Sequence, residues 1–137
     1  MLNLAYVGRR LTPTAPTEVT RDAVASFAAA LGDPEPVHPG SVPATFLISL
    51  TLPAADVLID DPDFGLDFSR VLHREQRFAF ARPVRVGDRL QAQVIVDSIK
   101  TVAGNDLLTL VTDVSTVDGE AVATVTTVLF VAGEAKA

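Results

Sequence analysis

Residues 89–100 read Arg-Leu-Gln-Ala-Gln-Val-Ile-Val-Asp-Ser-Ile-Lys, and this run decides the fold. Leu90, Ala92, Val94 and Val96 fall on one side, and Gln91, Gln93 and Asp97 on the other. A period of two marks a strand with one buried face and one wet face. Three more runs of this kind flank it. Residues 71–81 predict a strand with Phe78 and Phe80 on a shared face. Residues 107–116 follow a turn at Gly104-Asn105. Residues 121–131, rich in Val and Thr, follow Asp118-Gly119, a strong two-residue hairpin signal. The second half of the chain is therefore a set of long antiparallel strands.

The first half has a different period. Residues 4–11 predict a short opening strand or strand-like arm, weakened by Gly8, Arg9 and Arg10, and Pro13 and Pro16 then make an extended loop. Thr20 is a good helix N-cap, with Asp22 in the first turn. Ala23, Val24, Phe27, Ala30 and Leu31 recur at helical spacing until Gly32 ends the helix. Ser41 is placed to cap a second helix, with Pro43 in its first turn. Phe46, Leu47, Ile48, Leu50 and Leu52 cover nearly all of its faces, and a helix apolar all round is buried all round. Pro53 should interrupt it, with a less regular continuation to about Leu58 and an acidic loop over 59–67. The sum is an α+β domain over 1–137, an antiparallel sheet wrapped round a long apolar helix.

Composition excludes several functions. The 137 residues suit one domain, and 48% hydrophobic content supplies a real core. With no cysteine there is no disulfide framework, no thiolate nucleophile and no cysteine-held metal. Two histidines without a carboxylate cluster point away from a metal site. A net charge of −6 argues against nucleic acid. The longest apolar run, near 46–50, is too short to cross a bilayer, and the absence of a signal peptide leads us to expect a cytoplasmic protein.

The loop between the helices carries the chemistry. It reads Gly32-Asp33-Pro34-Glu35-Pro36-Val37-His38-Pro39-Gly40. A carboxylate and an imidazole sit five residues apart on a proline-stiffened segment beside a greasy helix. That arrangement suits proton transfer on a hydrophobic substrate. The stretch resembles the hydratase motif of the MaoC-like, (R)-specific enoyl hydratase and 3-hydroxyacyl thioester dehydratase families. Gly32, Asp33, Pro36 and His38 match in register, while Glu35 stands where the family has asparagine and Leu31 where it has a small residue. Three further motifs follow in family order. They are Pro43-Ala44-Thr45-Phe46, Leu72-His73-Arg74-Glu75-Gln76 and Arg82-Pro83-Val84-Arg85-Val86-Gly87-Asp88. The likeness spans about residues 5–131 and is nearest to N-terminal-type MaoC domains and to the A subunits of mycobacterial-type dehydratases. It departs from the family in the short link 39–42, and from such A subunits in keeping the Asp/His pair.

The resemblance implies a hot-dog fold and acid–base elimination of water from a 3-hydroxyacyl thioester, on acyl carrier protein or coenzyme A, in fatty-acid or polyketide biosynthesis. His38 would take the proton next to the thioester carbonyl, since imidazole titrates near neutrality. Asp33 would protonate the departing hydroxyl, or activate water in reverse. Backbone N–H groups of Ala44 and Thr45, at the start of the buried helix, would form the oxyanion hole with help from the helix dipole. No cofactor is needed. Glu35 reads as a solvated charge, and His73 as a structural or interface residue or, failing that, a pocket residue. Arg70, Arg74, Arg77, Arg82, Arg85 and Arg89 are either solvated positions or a positive rim for a phosphopantetheine phosphate. Two other readings stay open: a non-catalytic acyl-binding subunit of a heterodimeric dehydratase, and a hot-dog thioesterase. Each predicts a dimer, with a second copy or a homologous subunit, because a single sheet leaves an edge strand open. Neither nucleic acid nor membrane is expected as a partner.

Overall fold

The computed structural model describes residues 1–32 and 41–134. Five strands form one antiparallel sheet: β1 Thr17–Glu18, β2 Val71–Phe80, β3 Arg89–Val102, β4 Asn105–Thr116 and β5 Ala121–Val131. Their order across the sheet is β1-β3-β4-β5-β2. Leu90, Ala92, Val94 and Val96 are all buried, as the alternation of β3 requires. The same rule buries Leu108, Leu110, Thr112 and Val114 on β4.

Bulges correct the alternation where it would otherwise run out of phase. Val96 pairs with Leu110 and Ser98 with Thr109, so Asp97 is the extra residue, and Ile99 rather than Ser98 turns to the core. On β5, Val114 pairs with Ala123 and Ser115 with Ala121, which lets the consecutive Val122 and Ala123 both be buried. The β3–β4 hairpin closes through Ala103 and Gly104, both with positive φ (51° and 80°). That is the two-residue geometry whose twist matches the strands.

Three helices lie against the sheet: α1 Arg21–Ala30, α2 Ile48–Ala54 and α3 Asp56–Ile59. Thr20 caps α1 as expected, its side chain accepting from the Ala23 N–H at 3.1 Å, and Gly32 leaves it at φ 80°. Val24 and Ala28 bury the inner stripe, whereas Ala23, Ala30 and Leu31 are exposed. Phe27 meets Phe46 edge to face at 5.6 Å.

The second helix is shorter than the sequence suggested. Residues 43–50 run through successive turns bonded three residues apart, among them Phe46 N–H to Pro43 O and Ile48 N–H to Thr45 O. α2 starts only at Ile48, capped by Leu47 without a side-chain bond, so Ser41 is not its cap. The Ser49 hydroxyl bonds back to Phe46 O at 2.7 Å, a local competitor of helical pairing. Pro53 offers no N–H, and the chain breaks at Ala55 before α3. Nor is the apolar surface buried all round. Phe46, Leu47 and Leu58 are in the core, but Leu52 is 38% and Val57 64% exposed.

The expected opening strand or strand-like arm over 4–11 is a 3₁₀ turn, Leu4–Tyr6, followed by an extended arm. The Asn3 side chain accepts from the Ala5 N–H and starts the turn, and Gly8 at φ 89° ends it. The arm then bonds along the outer edge of β3, through Gly8 N–H to Val96 O, Leu11 N–H to Val94 O and Thr14 N–H to Ala92 O. Among the described residues, no helix is long and apolar enough to cross a membrane.

Candidate active site

Asp33 and His38 lie outside the described residues. What can be built is the frame on either side of them. Gly32 closes α1, and Ser41 lies on the wall of an open cleft of about 930 Å³. The cleft runs between residues 41–44 and the turn that joins β2 to β3, with Arg21, Phe80 and Arg85 also in its wall.

Ala44 is on this wall and Thr45 is its exposed neighbour. Among the described residues, neither backbone N–H has an acceptor. Both stand in the turn before α2, not in the first turn of a helix, so the expected help from a helix dipole is absent: the aligned peptides begin three residues later. Two neighbouring N–H groups without an acceptor among the described residues are the kind of donor an oxyanion hole uses.

The turn opposite is held by its ends. Arg82 donates from Nη1 to Asp88 Oδ2 at 2.8 Å and from Nη2 to Asp88 Oδ1 at 3.1 Å. Its Nε donates to Glu120 Oε1 at 2.7 Å. Asp88 Oδ2 also accepts the Arg85 N–H at 2.8 Å, and Gly87 supplies φ 97° beside it. The Arg-Pro-x-x-x-Gly-Asp pattern is thus a clamp: two side chains at the ends of a turn, each 15% exposed, joined by a two-pronged ion pair. Hydrogen bonds from Arg82 hold the Asp88 carboxyl below the ordinary carboxylate range. Those to Asp88 and Glu120 hold the Arg82 guanidinium above its own. Arg82 is therefore committed to structure, as are Arg70, on Asp67 and Gly133 O, and Arg77, on Glu75. Among the described residues, Arg21 and Arg85 form no ion pair, so they carry the positive charge of the cleft.

A second cavity, of about 340 Å³, lies between α2–α3 and the sheet. Leu58, Leu66, Val71, Leu110 and Leu129 make it apolar, and Thr51, Thr112, Thr127 and His73 give it polar points. Its size falls in the range of small-molecule sites. His73 reaches it through a bulge: His73 pairs with Leu129 and Glu75 with Val128, leaving Arg74 as the extra residue. The bulge puts His73 and Gln76 on one face, where His73 Nε2 lies 2.9 Å from Gln76 Oε1. Thr127 Oγ1 donates to the same oxygen at 2.9 Å, and Gln76 Nε2 donates to Thr126 O at 3.2 Å. His73 is thus a cavity residue. The sequence reading did not single out Thr51, Thr112 or Thr127. The signal was a polar residue at an inward position: Thr112 in the row Leu108, Leu110, Val114, and Thr51 inside an apolar helix.

Comparison with known proteins agrees with this architecture. The fold is that of the hot-dog dehydratases. A structure of a MaoC-like dehydratase superposes with a TM-score of 0.82 at 26% identity, covering 94% of this chain and 43% of that one. The chain thus spans less than half the length of that structure. The C-terminally truncated HadBC (3R-hydroxyacyl-ACP dehydratase) complex from Mycobacterium tuberculosis shares the fold, with a TM-score of 0.76 at 24% identity over 91% of this chain and 96% of that one. Residues 5–125 match the family described as FAS1-like, dehydratase domain region, and the chain belongs to that family. Among its relatives are UPF0336 proteins of Streptomyces coelicolor, 44% identical over 93% of both chains, and of Saccharopolyspora erythraea, 40% identical over 98% of this chain and 94% of that one.

Proposed function

We propose that this protein is a hydro-lyase that interconverts 3-hydroxyacyl and 2-enoyl thioesters, with Asp33 and His38 as its acid and base. The observation that carries the proposal is that, among the described residues, the N–H groups of Ala44 and Thr45 have no acceptor, with Ala44 on the wall of an open cleft, a few residues after Asp33 and His38 in the sequence. In the dehydration direction His38 removes a proton from the carbon next to the thioester carbonyl. Negative charge moves to the carbonyl oxygen, which the Ala44 and Thr45 N–H groups receive. The C–O bond at the third carbon breaks as Asp33 protonates the leaving hydroxyl, and water and the 2-enoyl thioester remain. Arg21 and Arg85 suit the phosphate of a phosphopantetheine arm, which both acyl carrier protein and coenzyme A possess.

The protein acts as a dimer in this reading. The arm over 8–14 covers the β3 edge, but among the described residues nothing bonds to the outer edge of β2, ten residues long. An uncovered edge of that length invites a second strand. The HadBC complex pairs two such subunits, so a homologous partner is a second form of the same arrangement.

The test is hydration of a short enoyl thioester by the purified chain, followed by loss of the enoyl absorbance. Activity that falls at least a hundredfold in both Asp33→Asn and His38→Ala supports the dyad. Activity that survives both variants refutes it. Release of free thiol without hydration makes the protein a thioesterase. A folded chain inactive alone but active with a co-purified homologue makes it one subunit of a heterodimer.

A further inference from the structure

We infer that the cavity between α2–α3 and the sheet selects an acyl chain that carries a hydroxyl group in its half remote from the thioester. The inference rests on the proposed function, since it assigns this cavity to the tail of the same substrate.

The argument begins with Gln76. Its Nε2 donates to Thr126 O, which fixes the amide and points Oε1 the other way. An amide oxygen only accepts. It accepts from Thr127 Oγ1, and it lies 2.9 Å from His73 Nε2, so that nitrogen carries the proton. In the neutral ring Nδ1 is then the acceptor, and among the described residues it has no partner. Thr127 has spent its proton on Gln76 and also offers only lone pairs. Thr51 is 3% exposed, and its Oγ1 has no partner among the described residues.

These groups line a cavity whose remaining wall is mostly hydrocarbon, with Thr112 and the exposed Asp56 as its other polar residues. Thr51 and Thr127 are buried and His73 is exposed, and a saturated chain filling the cavity would cover the His73 ring while offering none of the three a partner, which is costly. A ketone can accept from Thr51 but gives nothing to His73. A hydroxyl has both capacities, a proton to give to an acceptor such as Nδ1 and lone pairs to accept from Thr51. The cavity also lies far from the chemistry. His73 and Phe80, which lines the cleft, are separated along β2 by about 20 Å at the rise of a strand. The hydroxyl it reads is therefore not the one that is eliminated.

The experiment measures binding of three S-alkyl pantetheine thioethers of equal chain length by calorimetry. One is saturated, one bears a remote hydroxyl and one a remote ketone at the same carbon. Thioethers cannot be hydrated, so binding is read apart from turnover. The hydroxylated chain is expected to bind about five- to tenfold tighter than the saturated one, the worth of a hydrogen bond or two, and tighter than the ketone. His73→Phe and Thr51→Val should each reduce that preference, read within each variant as the ratio of hydroxylated-chain to saturated-chain affinity. The nitrogen shifts of ¹⁵N-histidine should show His73 protonated at Nε2, and Gln76→Leu should release that preference.

Equal or tighter binding of the saturated chain overturns the inference, as does a preference that persists in the His73→Phe, Thr51→Val double variant. If the same preparation hydrates an enoyl thioester yet shows no preference, the inference falls and the proposed function stands. A preference in a preparation that hydrates nothing, alone or with a co-purified homologue, keeps the cavity assignment and overturns the proposed function.

Discussion

Replacing Asp88 with alanine tests whether the turn beneath the cleft is held by charge. The carboxylate accepts two bonds from Arg82 and one from the Arg85 N–H. Bonds to a charged group contribute about 1.5–3 kcal/mol each when buried, and an exposed ion pair about 0–1 kcal/mol. With both side chains 15% exposed, the pair sits nearer the buried case. The loss also strands part of the Arg82 guanidinium, which keeps only Glu120, itself 58% exposed. A cost of about 3 kcal/mol follows. For a chain of 137 residues, unfolding entropy converts this to a fall of about 10 °C in Tm. Glu120→Ala removes only the outer bond and should cost about 1 kcal/mol or less.

The sign of the pH dependence is fixed by the direction of the shift. Asp88 titrates lower in the folded protein than in the unfolded chain. Its contribution is therefore complete above the unfolded value, near 3.9, and is lost as pH falls through the folded one. Urea melts of wild type and Asp88→Ala should differ fully at pH 7 and converge below about pH 4. Equal costs for Asp88→Ala and Glu120→Ala, or a gap that does not close in acid, would refute the reasoning.

Two backbone positions give independent predictions. A Cβ at Gly133 would collide with the Gly104 carbonyl oxygen, so Gly133→Ala must push the C-terminal segment off the β3–β4 hairpin. It should cost about 2–4 kcal/mol in a denaturant melt, and a loss under 1 kcal/mol would mean the two segments are not in contact. Ala103 is the one non-glycine described residue with positive φ, at 51°, in a turn that asparagine tolerates better. Ala103→Asn should therefore gain about 0.5–1 kcal/mol, read as a rise of about 2–3 °C in Tm.

The sheet was legible because its signal is local and repeated. Every second residue from Leu90 to Val96 is apolar, and β5 begins and ends where its composition does. Asp118-Gly119 and Gly104 mark the hairpins, and Gly119 and Gly104 have the positive φ such turns need. The buried helix was legible only as an apolar run. Hydrophobicity says that a segment is buried. It does not say where 3₁₀ pairing gives way to α, a choice made here by Pro43, Ser49 and Pro53 within eleven residues. The opening segment was legible only as a strand or a strand-like arm, and its 3₁₀ turn was not, for a related reason. Its bonds go to β3, some eighty residues away, and no local pattern reports a partner at that distance.

The site divides along the same line. Asp33, His38, Ala44 and Thr45 could be nominated from one stretch of sequence because motif and spacing sit together there. The cavity could not, because Thr51, His73, Thr112 and Thr127 come from four elements and converge only through the strand order and one bulge. That bulge has a functional consequence. Without the extra residue at Arg74, positions 73 and 76 would project from opposite faces of β2, and no imidazole could meet Gln76 in the cavity wall. The polar points of the cavity are thus set by strand register, which is rigid. The acid and base of the proposed reaction stand apart from that frame, in the proline-rich stretch 33–38 of the sequence. A fold arranged in this way can change what it does at residues 33–38 and what it accepts at β2 and α2 by separate substitutions.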